Sequence, residues 1–73
     1  MMKITVCIAN KQKIDIGVNR KQIIAETFNI LQEKGICFLP QTPYINIPRM
    51  EKQVSILSTY EDAEIIEGDI LNI

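Results

Sequence analysis

Apolar and polar residues alternate along two stretches near the start of the chain. The first runs from Ile4 to Ile8 and the second from Ile14 to Val18. A period of two places the apolar side chains on one face of a strand. The polar segment Asn10–Gln12 between the stretches has the length of a hairpin connection. The sequence therefore predicts that residues 3–18 form an antiparallel hairpin.

The hydrophobic period changes after Arg20. Apolar residues from Ile23 to Leu31 fall on one arc when the chain is turned by about 100° per residue. Asn19 is placed to accept hydrogen bonds from the first turn, with Gln22 as its reciprocal partner. Gly35 supplies the left-handed residue that ends many helices. These signals predict an amphipathic helix over residues 20–34.

The chain after the helix has two further strand signals before its end. Residues 36–43 are apolar but contain two prolines, so they are predicted to form a packed loop. Tyr44–Ile47 and Val54–Leu57 flank a polar turn, which predicts a second hairpin.

The last third predicts a short turn, a return to the core and a final strand. Residues 60–64 have the composition of an acidic or helical turn, Ile65 and Ile66 are expected in the core, and residues 67–69 form a tight turn. Ile70–Ile73 then closes as a strand. This order in a single domain of 73 residues favours an α+β fold, ββαβββ, in which a mixed sheet of four to five strands packs on one helix. That arrangement is the β-grasp.

Composition narrows the chemistry that this chain supports. It holds no His, and its two thiols, Cys7 and Cys37, are far apart in sequence, so it offers neither a His-based triad nor the paired ligands of a zinc site. We therefore expect no catalytic residue, no cofactor and no metal. A net charge of -1 without a Lys/Arg block disfavours nucleic acid as a partner. No signal peptide or membrane-spanning run is apparent, which predicts a cytoplasmic protein.

Two groups of residues allow a functional or a structural interpretation. Cys7 is expected on the face of the sheet away from the helix, as a small exposed or half-covered residue rather than a redox sensor, and Cys37 as packing material. The last third concentrates acidic residues, which form either a patch for a basic partner or a solvated turn in which Asp62 caps local N–H groups: Glu61, Asp62, Glu64, Glu67 and Asp69.

Three segments carry a resemblance to a known superfamily. They are the hairpin Lys3–Val18, the helix end Gln32–Ile36 followed by a proline loop, and the closing segment Tyr60–Ile73 with its Asp-containing turn, Gly-acidic turn and terminal strand. Together they resemble the ubiquitin-like superfamily. The ending Glu67–Leu71 and the small size are similar to the bacterial YukD/EsaB family. This likeness implies a non-conjugated accessory protein of Gram-positive type VII (WXG-type) secretion, which would dock on the cytoplasmic part of a membrane secretion ATPase.

The ubiquitin-like arrangement also implies a candidate protein-binding face. Its terminal strand lies between the first and third strands, so outward-pointing residues of all three share one surface. We expect Tyr44 and Ile70 to anchor a protein partner and the two asparagines to supply hydrogen bonds at the rim. The predicted face comprises Thr5, Cys7, Tyr44, Asn46, Ile70 and Asn72.

Two alternatives to this interpretation belong to other functional classes. A carrier or modifier presents a C-terminal diglycine on a flexible tail, whereas this sequence ends at Ile73, which is expected to be hydrogen-bonded in the sheet. The second alternative is a structural or regulatory homodimer formed through strand edges.

Overall fold

The computed structural model describes residues 1–9, 11–35 and 42–73. The predicted turn residue Asn10, the proline loop from Ile36 to Gln41 and Cys37 lie outside these ranges. The described chain forms, in order, β1 (Met2–Ile8), β2 (Gln12–Val18), α1 (Ile24–Glu33), β3 (Tyr44–Ile47), a 3₁₀ turn (Pro48–Met50), β4 (Lys52–Ser55) and β5 (Ile70–Asn72). No helix within the described ranges is both long enough and apolar enough to cross a membrane.

The strands form a mixed five-stranded sheet in the order β2-β1-β5-β3-β4. β1 pairs antiparallel with β2 and parallel with β5, while β3 pairs antiparallel with both β5 and β4. The last strand therefore lies in the centre of the sheet. This arrangement confirms the predicted α+β class, the ββαβββ order and the β-grasp topology.

One face of the sheet packs against α1 and forms the core. The alternation predicted for β1 holds, because Ile4 and Val6 are fully buried. Phe28 on α1 and Leu71 on β5 are also fully buried and belong to the same apolar cluster. Tyr60, from the loop that precedes β5, completes this cluster with no exposed surface. Burial of these side chains is the main force that holds the helix on the sheet.

The helix begins at Ile24, four residues later than the predicted residue 20. Asn19 and Gln22 do interact as a capping pair, since the Asn19 side chain accepts the Lys21 N–H at 2.9 Å and the Gln22 side chain accepts the Asn19 N–H at 3.4 Å. They stabilise a separate turn ahead of the helix. The predicted helix start was therefore wrong, although the local hydrogen bonds were expected.

A segment distant in sequence caps the helix instead. The backbone N–H groups of Ile24 and Ala25 donate to the carbonyls of Ser58 at 3.0 Å and Ile56 at 2.8 Å. Ile23 is extended and forms an isolated bridge with Thr59. Residues 56–59 thus satisfy N–H groups that a local side chain satisfies in most helices.

The other helix end follows the sequence more closely, whereas the second hairpin differs from the prediction. Its second strand, β4, covers Lys52–Ser55 and not Val54–Leu57, because the chain already turns at Pro48–Met50. Gly35 has a φ of +70° and its N–H donates to the Gln32 carbonyl at 3.0 Å, so the predicted left-handed helix end is confirmed. Pro48 ends β3 and starts the 3₁₀ turn. Ile66 is a correction: Ile65 is buried as expected, but Ile66 is 52% exposed. Only Ile65 belongs to the apolar core cluster.

Candidate protein-binding face

The six residues of the predicted face all lie on the side of the sheet opposite α1. Each alternates along its strand with residues that are buried in the core, such as Val6, Ile45 and Leu71. Side chains alternate between the two faces of a strand, so these six point away from the helix. We call this surface the outer face.

Strand register brings five of the six together. Thr5 lies beside Ile70, and Cys7 lies beside Asn72, across the parallel pair β1–β5. Asn72 is in turn paired with Asn46 across β3–β5. The centre of the outer face is therefore a row formed by the Cys7 thiol and the amides of Asn72 and Asn46. Ile70 lies two residues before Asn72 on β5.

Tyr44 lies apart from the other predicted anchor. It is two residues before Asn46 on β3, whereas Ile70 is two residues before Asn72 on β5, and the two strands run antiparallel. A four-residue offset corresponds to roughly 13 Å along the strands. The outer face thus offers two separate apolar anchors, Tyr44 at 52% and Ile70 at 38% exposure, rather than one continuous hydrophobic patch.

Cys7 corrects the expectation of an exposed or half-covered residue, because only 6% of it is exposed. Its strand lies inside the sheet, between β2 and β5. Lys13 and Asn72 flank it on the outer face, and longer side chains on both sides cover a short one. Cys7 is therefore a packed residue within the outer face.

Asp69 does not belong to a surface patch of acidic residues, because it is only 4% exposed. Its two carboxylate oxygens accept hydrogen bonds from Arg49 Nε at 2.6 Å and Nη2 at 2.9 Å. The second oxygen also accepts the Ile66 N–H at 3.0 Å. Arg49 Nη2 donates further to the Glu64 carbonyl at 3.0 Å. This two-point ion pair joins the 3₁₀ turn to the loop before β5.

The environment of this ion pair shifts the pKa of both partners. Burial acts to raise the pKa of Asp69, but the hydrogen bonds from Arg49 and the Ile66 N–H, with the charge of Arg49, outweigh it and hold that pKa below its usual range. The hydrogen bond to Asp69 raises the pKa of Arg49. Both groups are therefore charged at neutral pH, and their role is structural.

The four remaining acidic residues are all exposed, and one of them also makes a structural hydrogen bond. Both carboxylate oxygens of Glu67 accept the Lys3 N–H, at 3.0 and 3.1 Å, which fastens the loop to β1. Glu61, Asp62 and Glu64 are exposed. Asp62 is predicted to cap local N–H groups with its side chain. The structure shows the opposite arrangement, in which the backbone N–H of Asp62 donates to Thr59 Oγ1 at 3.0 Å.

The structure also has an open cleft of about 730 Å³. Its walls carry two cationic and two anionic side chains beside the first two methionines. The anionic pair belongs to the acidic group of the last third, and none of the six residues of the predicted face is included. The lining residues are Met1, Met2, Asn19, Arg20, Lys21, Glu61 and Glu67.

Comparison with known proteins supports the fold. No protein-family model matches the chain, and no curated protein matches it. Among solved structures, the chain is similar to a designed protein based on ubiquitin, with a TM-score of 0.74 and 17% sequence identity over 97% of this chain and 83% of that chain. At this identity the likeness shows the fold alone. The chain has a ubiquitin-like β-grasp fold.

Proposed function

We propose that this chain is a non-enzymatic protein-interaction module that binds a protein partner through its outer face. The observation that carries the proposal is the exposure of Tyr44 and Ile70 on a sheet face that α1 leaves uncovered. Partly exposed aromatic and aliphatic side chains are typical anchors of protein interfaces. The same fold serves many roles, so the proposal depends on these side chains and not on the topology.

The spacing of the anchors describes the complementary surface of the partner. A partner that contacts both Tyr44 and Ile70 has two apolar side chains roughly 13 Å apart. Between them it faces the amides of Asn46 and Asn72, which are paired in the sheet. Each amide both donates and accepts, so polar groups on the partner are required at the centre.

The specific form of the proposal is an accessory role in Gram-positive type VII secretion. The partner is then the cytoplasmic part of a membrane secretion ATPase, and the protein acts in the cytoplasm beside that complex. Support for this form comes from the sequence likeness of Glu67–Leu71 and the small size of the chain. Docking through the outer face requires no catalytic residue, cofactor or metal.

Capture from the native host tests the proposal. We would tag the N-terminus, capture the wild-type protein after mild and denaturing washes, and identify bound proteins by mass spectrometry. A membrane ATPase recovered only after the mild wash supports the secretion role. A partner that survives denaturation indicates covalent conjugation, which contradicts docking.

A matched pair of substitutions connects capture with the outer face. Ile70→Asp places a carboxylate on the outer face, and Ile30→Asp places the same group on the solvent side of α1. The wild-type residues have similar exposure, 38% and 46%. We expect Ile70→Asp to abolish capture and Ile30→Asp to preserve it. Equal capture by both variants would mean that the partner binds elsewhere.

A further inference from the structure

Within residues 1–9, 11–35 and 42–73, no other strand pairs with the outer backbone edge of β2. Hydrogen bonds of β1 define which residues form this edge. In β1, the Thr5 N–H donates to the Asp69 carbonyl at 2.9 Å, and the Cys7 carbonyl accepts the Ile73 N–H at 3.0 Å. These odd-numbered residues therefore direct their backbone groups toward β5. The even-numbered residues of β1 must direct theirs toward β2.

The same alternation continues across the hairpin. Ile4 is paired with Ile16 and Val6 with Ile14, so the even-numbered residues of β2 use their backbone groups to bind β1. Lys13, Asp15 and Gly17 consequently direct their N–H and C=O groups away from the sheet. β2 is the last strand in the sheet order. An added strand would hydrogen-bond at these three positions.

Side chains at this edge are complementary to a second copy of the same strand. Lys13 and Asp15 are both exposed and lie on the outer face, two residues apart. When two copies of β2 run antiparallel around a two-fold axis at Ile14, Lys13 of each copy lies opposite Asp15 of the other. Symmetry gives two such pairs of opposite charge at directly facing positions, where charge pairing stabilises a sheet.

We propose that two copies of this chain pair through β2 in this register, which joins their sheets into one continuous sheet. The pairing places Ile14 opposite Ile14 of the second copy, on the face that carries the helices. Ile14 and Ile16 are only half-buried in the single chain, so the dimer covers apolar surface there. Thr5 Oγ1 donates to Asp15 Oδ1 at 2.7 Å, which holds this carboxylate on the outer face.

The charge pattern distinguishes β2 from the other edge strand. Lysines on an edge usually prevent pairing with other chains, and β4 (Lys52–Ser55) has a lysine and no acidic residue within it. In β2, an aspartate two residues from the lysine converts repulsion between copies into attraction. Centring the pair on Asp15 instead would place two aspartates opposite each other, which disfavours that register.

Charge reversal tests the register. We would compare the wild type with Lys13→Asp, Asp15→Lys and the double variant Lys13→Asp/Asp15→Lys by sedimentation equilibrium over a series from about 10 µM to about 1 mM, a range suited to small interfaces. Lys52→Asp is the control, because it changes the net charge by the same amount at the opposite edge. Circular dichroism confirms that each variant is folded.

Each result supports or overturns the proposal. We expect a wild-type dimer that Lys13→Asp weakens by roughly tenfold or more, because two attractive pairs become repulsive. Lys52→Asp should leave it unchanged, and the double variant should restore it. A mixture of Lys13→Asp with Asp15→Lys should form a heterodimer, although each alone is weakened. A wild-type monomer at every concentration, or equal weakening by Lys13→Asp and Lys52→Asp, would overturn the proposal.

Discussion

The hydrogen bond between Tyr60 and Thr27 gives a quantitative test of the core. Tyr60 comes from the loop before β5 and is fully buried, and its hydroxyl donates to Thr27 Oγ1 on α1 at 2.6 Å. Thr27 is 3% exposed. Each hydroxyl is therefore the polar partner of the other inside an apolar cluster. Substitutions Tyr60→Phe and Thr27→Val remove one hydroxyl each while nearly preserving shape.

The single substitutions are expected to cost more than the double substitution. Tyr60→Phe removes the hydrogen bond, at a cost of about 1–2 kcal/mol, and Thr27→Val leaves the tyrosine hydroxyl buried without its partner, at about 1–3 kcal/mol. In the double variant no hydroxyl is left unpaired at this contact, so its stability should approach that of the wild type. The coupling free energy then equals the sum of the two single costs, about 2–5 kcal/mol.

Urea unfolding followed by circular dichroism measures these differences. For a domain of this size, the free energy of unfolding changes by about 1 kcal/mol per molar urea, so the midpoint should fall by about 1–2 M for Tyr60→Phe and by about 1–3 M for Thr27→Val. If the cost of the double variant equalled the sum of the two single costs, the hydrogen bond would not couple the loop to the helix. That result would refute the reasoning.

Alkaline pH provides a second measurement on the same residue. Burial raises the pKa of Tyr60, and the hydrogen bond with Thr27 opposes this only in part. The folded state thus favours the neutral phenol. Its contribution to stability is complete below the unfolded pKa, about 10, and is lost as pH rises from there through the folded pKa. Tyr60→Phe should therefore lose less stability at alkaline pH than the wild type. Identical dependence of the free energy of unfolding on pH in the two proteins would contradict this expectation.

Four further substitutions test other parts of the fold by the same unfolding measurement. Asp69→Asn should reduce the loss of stability at acid pH. The lowered pKa of Asp69 stabilises the folded state above the unfolded pKa of about 3.9, and this stabilisation is lost as pH falls through the folded pKa. Equal dependence of the free energy of unfolding on acid pH in both proteins would disprove it. Asn19→Ala should cost less than the roughly 1 kcal/mol typical of a helix cap, because Asn19 caps the preceding turn, and a larger loss would restore Asn19 as the helix cap. Gly68→Ala should cost about 1 kcal/mol of stability, because the φ of Gly68 is +86°, although space is free around it. Gly17→Ala should cost less, because it displaces only the Met1 side chain. A larger loss of stability for Gly17→Ala than for Gly68→Ala would contradict this expectation.

Local patterns in the sequence predict most of the fold. Alternation over β1 and β2 identifies their inward faces, and the period near 3.6 identifies α1. The Gly35 signal identifies the helix end because a left-handed residue is a local requirement. These features depend on neighbouring residues alone, which explains why they can be inferred without a structure.

Contacts between distant segments account for the errors. The helix start depends on carbonyls of Ile56 and Ser58, which lie more than thirty residues from Ile24 and carry no sequence signal for capping. No local pattern in the sequence points to Arg49, because its partner Asp69 is twenty residues away and only the packed loop brings them together. Asp69 consequently looked like one member of an acidic surface.

The composition of the outer face was predictable, but its layout was not. Alternation assigned all six residues to one side, while the distance between Tyr44 and Ile70 follows from the register of β3 on β5. Register depends on the whole sheet. The burial of Cys7 likewise follows from the neighbours that β2 and β5 place beside it.

Mapping of the partner surface by NMR tests the central claim most directly. The ¹⁵N-labelled protein would be titrated with the purified partner identified by capture, and amide shifts followed along the chain. The account predicts the largest changes on the outer face, at Thr5, Asn46, Ile70 and Asn72, with little change along the solvent side of α1. Changes concentrated on α1 or at the cleft around Arg20, with the outer face unaffected, would contradict it.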